Sequence, residues 1–311
     1  MFLSGIYFLK TGEISVSKNQ FGLSRNIPSA VQLEVRQRSK FGCIFCRCAI
    51  YQYEHIIPEF KNAESHDENY ICLLCGTCHD KVTKGRIAKT TVQHRYNEIQ
   101  NSDNIKRPFD DFDLSATELS LEIGGAVFHK TKTFLRINNE DILSVNPPID
   151  NAAFPSISGI FYDSAGQETL RIIDNVWESS HNMWDIEIVG QKLTIKTEKD
   201  RKALVLFILP PNRIKLEYLD MYKDNCRVIC KDGKLIVSQI HEEIETSIHL
   251  KNFECTGANV GIDVDSYKNK RPDPTGLSMI GGQGISLDGT GIRIGVKAGQ
   301  MHIDKLEIWQ T

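Results

Sequence analysis

The sequence predicts an α+β fold class, in which a cysteine-rich N-terminal part with short helices precedes an all-β C-terminal region. The first observation is helical spacing of apolar residues near the start of the chain, followed by six cysteines within residues 43–78. The second is a change of period beyond about residue 115, where short β-type runs alternate with turn sequences such as Asp232-Gly233. The third is the length of 311 residues. It exceeds the roughly 250 to 300 residues at which single hydrophobic cores stop growing, and it therefore predicts more than one domain.

These observations divide the chain into four predicted segments. They are an N-terminal extension over 1–24, a cysteine-rich domain over 25–102, a linker over 103–117 and a β-rich accessory or regulatory domain over 118–311. The second segment opens with a helix predicted from Pro28 to Lys40, "PSAVQLEVRQRSK", with Gly42 after its end. The linker is polar and acidic and contains Pro108, as expected of a connecting segment.

The β-rich segment is compatible with two architectures. The run "IKLEYLDMYKDNCRVICK" aligns with "IHLKNFECTGANVGIDVD" at an offset of 34 residues, which matches Ile214 with Ile248 and Asn225 with Asn259. Such a repeat predicts the stacked parallel coils of a β-solenoid. Alternating strands also produce such matches, so an antiparallel β-sandwich stays open.

Composition and charge exclude some classes of protein and favour others. Hydrophobic residues make up 41% of the chain, and no apolar run approaches the roughly 20 residues of a membrane span. The N-terminal residues lack the basic, apolar and small-residue regions of a signal peptide, so we predict a cytoplasmic protein without a membrane partner. Residues 25–95 carry eleven Lys and Arg against seven Asp and Glu, although the whole chain has a net charge of −3. The cysteine-rich segment is therefore the part best suited to meet a polyanion.

The cysteine spacing predicts a metal site. "CIFC", from Cys43 to Cys46, and "CGTC", from Cys75 to Cys78, are two C-x-x-C knuckles separated by 28 residues. Four thiolates in two such pairs form a tetrahedral zinc site, which would fold a segment with little core of its own. We therefore predict structural Zn²⁺ on these four residues, and we interpret the additional Cys48 and Cys72 as small buried apolar residues.

A structural metal does not explain Glu54 and His55, which stand side by side between apolar residues. The segments "YEHIIP", "NYICLLC" and "CGTCH" place His55, Asn69 and His79 in an order that closely resembles the HNH nuclease motif. The resemblance covers roughly residues 25–100, about a quarter of the chain, and the two knuckles resemble the zinc-stabilised branch of the family. It implies a ββα-metal domain that hydrolyses phosphodiester bonds.

The resemblance also implies a role for each motif residue. His55 would be the general base that takes a proton from water. Glu54 and His79 would hold a catalytic divalent ion, Mg²⁺ or Mn²⁺, with Ni²⁺ or Zn²⁺ as alternatives. Asn69 would hold the His55 ring or backbone in place. The position of Glu54 is often occupied by aspartate in the family. Because neighbouring strand residues point to opposite faces, Glu54 and His55 would reach one site only where the backbone is irregular.

The predicted function is thus that of a metal-dependent HNH endonuclease with a restriction or phage-defence role. Its expected partner is nucleic acid, with DNA as the substrate, and homo-oligomer formation stays open. The alternative is a zinc-stabilised nucleic-acid-binding module without turnover. Five basic residues flank the motif and are predicted phosphate contacts, with solvated helix faces as the plain alternative: Arg36, Arg38, Lys81, Lys84 and Arg86.

Overall fold

The structure is a computed structural model, and the parts of the chain that it describes are residues 18–148, 152–180, 182–241, 244–265, 277–278, 283–288, 291–294 and 301–310. Within these ranges the chain forms three α-helices and 22 strands. The helices are α1 (Ser29–Arg38), α2 (Gly76–Thr83) and α3 (Lys89–Gln100). All three lie in the N-terminal third of the chain.

The N-terminal part contains one small sheet. Strand β1 (Gln52–His55) pairs antiparallel with β2 (Ile71–Leu74), and α2 begins two residues after β2. The predicted first helix is confirmed as α1, which begins directly after Pro28 and ends at Arg38. A proline suits this position because its fixed φ and missing N–H cost nothing at the start of a helix.

Two large sheets make up the rest of the chain. The first contains β3 (Phe109–Asp111), β6 (Thr133–Ile137), β7 (Glu140–Asn146), β8 (Ser156–Tyr162), β9 (Glu168–Ile173), β10 (Val176–Ser179), β18 (Val260–Asp265), β19 (Leu277–Ser278), β20 (Gln283–Asp288) and β21 (Gly291–Ile294). The second contains β4 (Ser120–Ile123), β5 (Ala126–His129), β11 (Asp185–Val189), β12 (Lys192–Glu198), β13 (Arg201–Leu209), β14 (Arg213–Lys223), β15 (Cys226–Lys231), β16 (Lys234–His241), β17 (Ile244–Thr256) and β22 (Met301–Gln310). Buried apolar residues of both sheets form one continuous hydrophobic core between them.

The β4–β5 hairpin bridges β14 and β17 and so closes the strands β14 to β17 into a ring. Strand β4 runs parallel to β14, and β5 runs parallel to β17. The hairpin turn lies so close to the β15–β16 turn that a Cβ on Gly124 would stand 2.4 Å from the carbonyl oxygen of Lys234. Gly124 also has a φ of +57°, so only glycine fits this turn.

The predicted α+β fold class is wrong. Strands dominate the described residues. The predicted ββα domain is not shown as a separate unit, because its helices are short and part of its surface packs into the large hydrophobic core. Parallel solenoid coils are also not what the repeat region forms, since β14 to β17 pair antiparallel in sequence order. The turns explain this, because Asp224-Asn225 and Asp232-Gly233 all have positive φ and reverse the chain as hairpins.

The N-terminal part is attached to the large sheets at several points. Phe41 and Ala49 belong to the large hydrophobic core. Strand β3, which lies within the segment predicted as a linker, pairs with β10. Phe112 and Leu114 of the same segment are buried. No helix in the described ranges has the length and apolar character to cross a membrane.

Candidate functional site

The four predicted knuckle cysteines come together in the structure. The sulfur atoms of Cys43, Cys46, Cys75 and Cys78 all lie within 4.8 Å of one another, and none forms a disulfide. The Sγ atoms of Cys46 and Cys75 are 3.5 Å apart. Sulfurs that share a zinc ion at about 2.3 Å in tetrahedral geometry are about 3.8 Å apart. This cluster could therefore hold a metal ion such as zinc.

The cluster joins the first knuckle to the start of α2. Cys75 is the residue before the helix, and its sulfur accepts a hydrogen bond from the Cys78 backbone N–H at 3.4 Å. Three of the four cysteines are buried, and Cys46 is exposed. Cys72 is buried beside the cluster, and this burial raises the pKa of its thiol far above the usual value. Cys72 thus behaves as the small apolar residue that the sequence predicts.

Next to the cluster, Glu54 joins β1 to both of the following helices. Its Oε2 lies 2.9 Å from Nε2 of His79 on α2. Its Oε1 accepts a hydrogen bond from Nζ of Lys89 at the start of α3. Lys89 also donates to the His55 carbonyl oxygen at 2.7 Å. One carboxylate is thus held by an imidazole and an ammonium group while remaining 13% exposed.

Glu54 and His79 contact each other directly, and both are residue types that can ligate a divalent ion. The 2.9 Å between Glu54 Oε2 and His79 Nε2 is the length of a direct hydrogen bond, and it also equals the spacing of two ligands at about 2.1 Å on adjacent octahedral positions. A carboxylate oxygen and an imidazole nitrogen are also ordinary ligands of Mn²⁺ and its neighbours. Two protein ligands leave positions for water and phosphate oxygens, which is how Mg²⁺ is commonly bound beside phosphates.

His55 borders the same cleft as Glu54. The cleft has a volume of about 730 Å³, and Glu54, His55, His79 and Lys89 all line it. Burial, the neighbouring His66, and the charges of Lys89 and Arg25 lower the pKa of His55 to about 4. A histidine with such a pKa is neutral near pH 7 and can accept a proton.

No irregular backbone is needed to bring Glu54 and His55 to the cleft. Both pair in regular register with β2, and His55 is the last residue of β1. Glu54 reaches α2 and α3, while the His55 ring contacts Phe60 and His66 in the loop between the strands. The two side chains therefore point in different directions, as strand geometry requires, and the cleft opens where the strand ends.

Asn69 does not contact His55 in this structure. Its side-chain oxygen accepts a hydrogen bond from Arg38 at 2.8 Å, and its amide donates to Asp67 at 2.8 Å. Its backbone N–H also donates to the Asp67 carboxylate. Asn69 therefore braces the turn before β2, and the brace predicted for the His55 ring comes from a different residue, His66.

The five predicted phosphate contacts divide into two groups. Arg36 is buried and makes a two-point ion pair with Asp185 of β11, so it faces the large sheet rather than the solvent. Arg38 is half-buried and engaged with Asn69. The other three are exposed on and after α2, namely Lys81, Lys84 and Arg86. Of these, Lys84 pairs with Asp80 at 2.9 Å.

Sequence reasoning missed two residues of the cleft and one residue beside it that contacts His55. Lys89 stands 35 positions from Glu54, and no local pattern signals their contact. Arg25 lies over the Phe60 ring at 4.7 Å and lines the cleft beside His55. His66 contacts the His55 ring from the loop between the strands, and a single histidine in a loop carries no chemical signal of its own.

Comparison with protein-family models, curated proteins and solved structures gives no match for this chain. The functional assignment therefore depends on the residues of the cleft and on the cysteine cluster.

Proposed function

We propose that this protein is a metal-dependent endonuclease of the HNH type that hydrolyses phosphodiester bonds in nucleic acid, with DNA as its substrate. The observation that carries the proposal is the meeting of Glu54, His79 and His55 in one cleft. A carboxylate, an imidazole at ligand distance from it and a second, neutral imidazole are the groups that this hydrolysis requires. The HNH resemblance of the sequence supports the same assignment.

His55 is the general base in this proposal. Its low pKa keeps the imidazole neutral, so that a water molecule in the cleft can transfer a proton to it as the oxygen attacks phosphorus. The Lys89 hydrogen bond to the His55 carbonyl oxygen holds the end of β1 in place. A positioned general base contributes about 10²- to 10⁴-fold to the rate when its pKa lies near the operating pH, and the negative charge of a bound phosphate would raise the pKa of His55 towards that range.

Glu54 and His79 are the residues that would hold the catalytic ion, Mg²⁺ or Mn²⁺. A bound ion would supply positive charge next to the scissile phosphate and the departing oxygen. Lys89 and Arg25 add positive charge to the same cleft, which favours a phosphate there. The exposed Lys81, Lys84 and Arg86 extend this basic character along α2.

We further propose that zinc occupies the cysteine cluster with a structural role. Four thiolates fill a tetrahedral coordination sphere, which leaves no position for water or substrate. The cluster includes the residue before α2, so it would fix the start of this helix and with it the position of His79 relative to Glu54. The cysteine cluster would thus serve folding, whereas Glu54 and His79 would serve the reaction.

The variant Glu54→Gln tests the proposed ion site. We expect it to lower the rate of Mn²⁺-dependent cleavage of supercoiled plasmid by at least about 10- to 100-fold, the loss that even outer partners of metal ligands cause. The required Mn²⁺ concentration should rise as well, since a neutral amide oxygen is a weaker ligand than a carboxylate. The measurement is a Mn²⁺ titration of the cleavage rate after chelation of weakly bound metal.

Glu98→Gln is the matched control, because Glu98 is an acid on α3 that pairs with Arg95 outside the cleft. It should cleave like the wild type. Equal Mn²⁺ dependence of Glu54→Gln and the wild type would remove Glu54 from the ion site. Salt-sensitive DNA binding by a wild type that never cleaves would instead favour the alternative, a binding module without turnover.

A further inference from the structure

His66 forms a bridge between the backbone and the His55 ring. Its Nε2 lies 2.9 Å from the carbonyl oxygen of Ser24. Its Nδ1 lies 3.1 Å from Nε2 of His55. The three groups therefore form a chain of two hydrogen bonds that ends on the proposed base.

The direction of this chain follows from the chemistry of its first member. A carbonyl oxygen only accepts, so Nε2 of His66 carries the hydrogen and donates it to Ser24. A neutral imidazole has one donor and one acceptor, which makes Nδ1 of His66 an acceptor. The hydrogen between the two rings then belongs to Nε2 of His55. In neutral His55, the lone pair is left on Nδ1, and no described residue donates a hydrogen bond to that atom.

Both imidazole rings contact the ring of Phe60. The Phe60 ring lies nearly parallel to His66, at an interplanar angle of 14° and a centroid distance of 6.5 Å. The centroid of the Phe60 ring is also 5.4 Å from that of the His55 ring. The guanidinium carbon of Arg25 lies 4.7 Å from the centroid of the Phe60 ring. These contacts and the two hydrogen bonds together place the His66 ring beside the His55 ring.

We infer that His66 is a positioning residue that selects the Nε2–H tautomer of His55 and thereby makes Nδ1 the atom that accepts the proton from water. This inference rests on the proposed nuclease function for its catalytic part, but the tautomer itself is a property of the chain without substrate or metal. Ordering of a base by a hydrogen bond to its second nitrogen is a general device, because the partner decides which nitrogen stays free.

Two variants at position 66 separate the hydrogen bond from packing. His66→Phe keeps an aromatic ring against Phe60 but removes the acceptor. His66→Asn removes the ring but offers a side-chain oxygen near the place of Nδ1. We expect His66→Phe to lower kcat by about 10- to 100-fold with little change in KM, and His66→Asn to recover most of that loss. A purely structural role for the ring would give the opposite order.

The second readout is the tautomer of His55 in the full chain without catalytic metal, measured by ¹⁵N NMR of the imidazole nitrogens. The wild type and His66→Asn should show His55 as a single Nε2–H form, whereas His66→Phe should show a mixture of both forms. A wild-type His55 with hydrogen on Nδ1, or full kcat in His66→Phe, would overturn the inference. If the wild type does not cleave, the nuclease proposal fails, and the NMR result still decides whether His66 selects the tautomer.

Discussion

Replacement of Cys75 by serine is expected to unfold the N-terminal part of the chain and to abolish its zinc content. Cys75 contributes a sulfur to the cluster and also accepts the first hydrogen bond of α2. Structural zinc contributes an apparent 10 to 16 kcal/mol in small zinc-folded peptides, so loss of one ligand should cost more than about 4 kcal/mol here. Metal content of the purified protein and its thermal unfolding measure both effects.

The matched control is Cys48→Ser. Cys48 is half-buried, its thiol contacts the Ile50 carbonyl oxygen at 3.6 Å, and it lies outside the four-cysteine group. The same chemical change at this position should keep the zinc and shift stability by no more than about 1 kcal/mol. Purified wild type without bound metal, or equal melting of the two variants, would contradict a structural zinc site.

The second large effect is expected at the contact between α1 and the large second sheet. Asp185→Ala should destabilise the protein by about 3 to 5 kcal/mol, because it removes the one buried counter-charge of the Arg36 guanidinium and leaves the half-exposed Glu187 as its sole acidic neighbour among the described residues. Both side chains are almost fully buried, at 6% and 5% exposure, and they are joined by two hydrogen bonds of 2.8 Å. Equilibrium unfolding in urea gives the free energy directly.

Glu187→Ala is the control for this pair. Glu187 is 41% exposed and lies 3.4 Å from the same guanidinium group, so its loss should cost no more than about 1 kcal/mol. Equal unfolding midpoints for the two variants would show that burial does not set the strength of this contact.

A further consequence concerns the cleft, because Arg36 also donates to the Tyr53 hydroxyl, one residue before Glu54. The β-rich region is therefore linked to the proposed active site through one arginine.

The parts of the site that could be predicted from the sequence are those with a local spacing. Two C-x-x-C knuckles predict a four-sulfur cluster because their spacing alone supplies the four thiolates of a tetrahedral metal site. The structure brings the four sulfurs together. The first helix follows from Pro28 and the pattern after it. Glu54, His55 and His79 were selected by the order of one motif, and the structure brings all three to one cleft.

The remaining parts depend on contacts between distant positions. Arg36 has the sequence context of an exposed helical arginine, yet its partner Asp185 stands 149 positions away. Lys89 reaches the cleft, and His66 reaches the His55 ring, only after the strands and α3 are packed. The α+β prediction was wrong because short helices near the cysteines were given the weight of a separate domain, although strands form most of the described chain.

The measurement that tests the nuclease proposal most directly compares wild type with His55→Ala on supercoiled plasmid, with and without Mn²⁺ after chelation. We expect cleavage that requires the ion, and a rate that falls about 10²- to 10⁴-fold in His55→Ala. His94→Ala is the matched control, since the His94 side chain is 77% exposed on α3, and it should cleave like the wild type. Equal cleavage by His55→Ala and the wild type, or a wild type inert with every ion, would contradict the proposal.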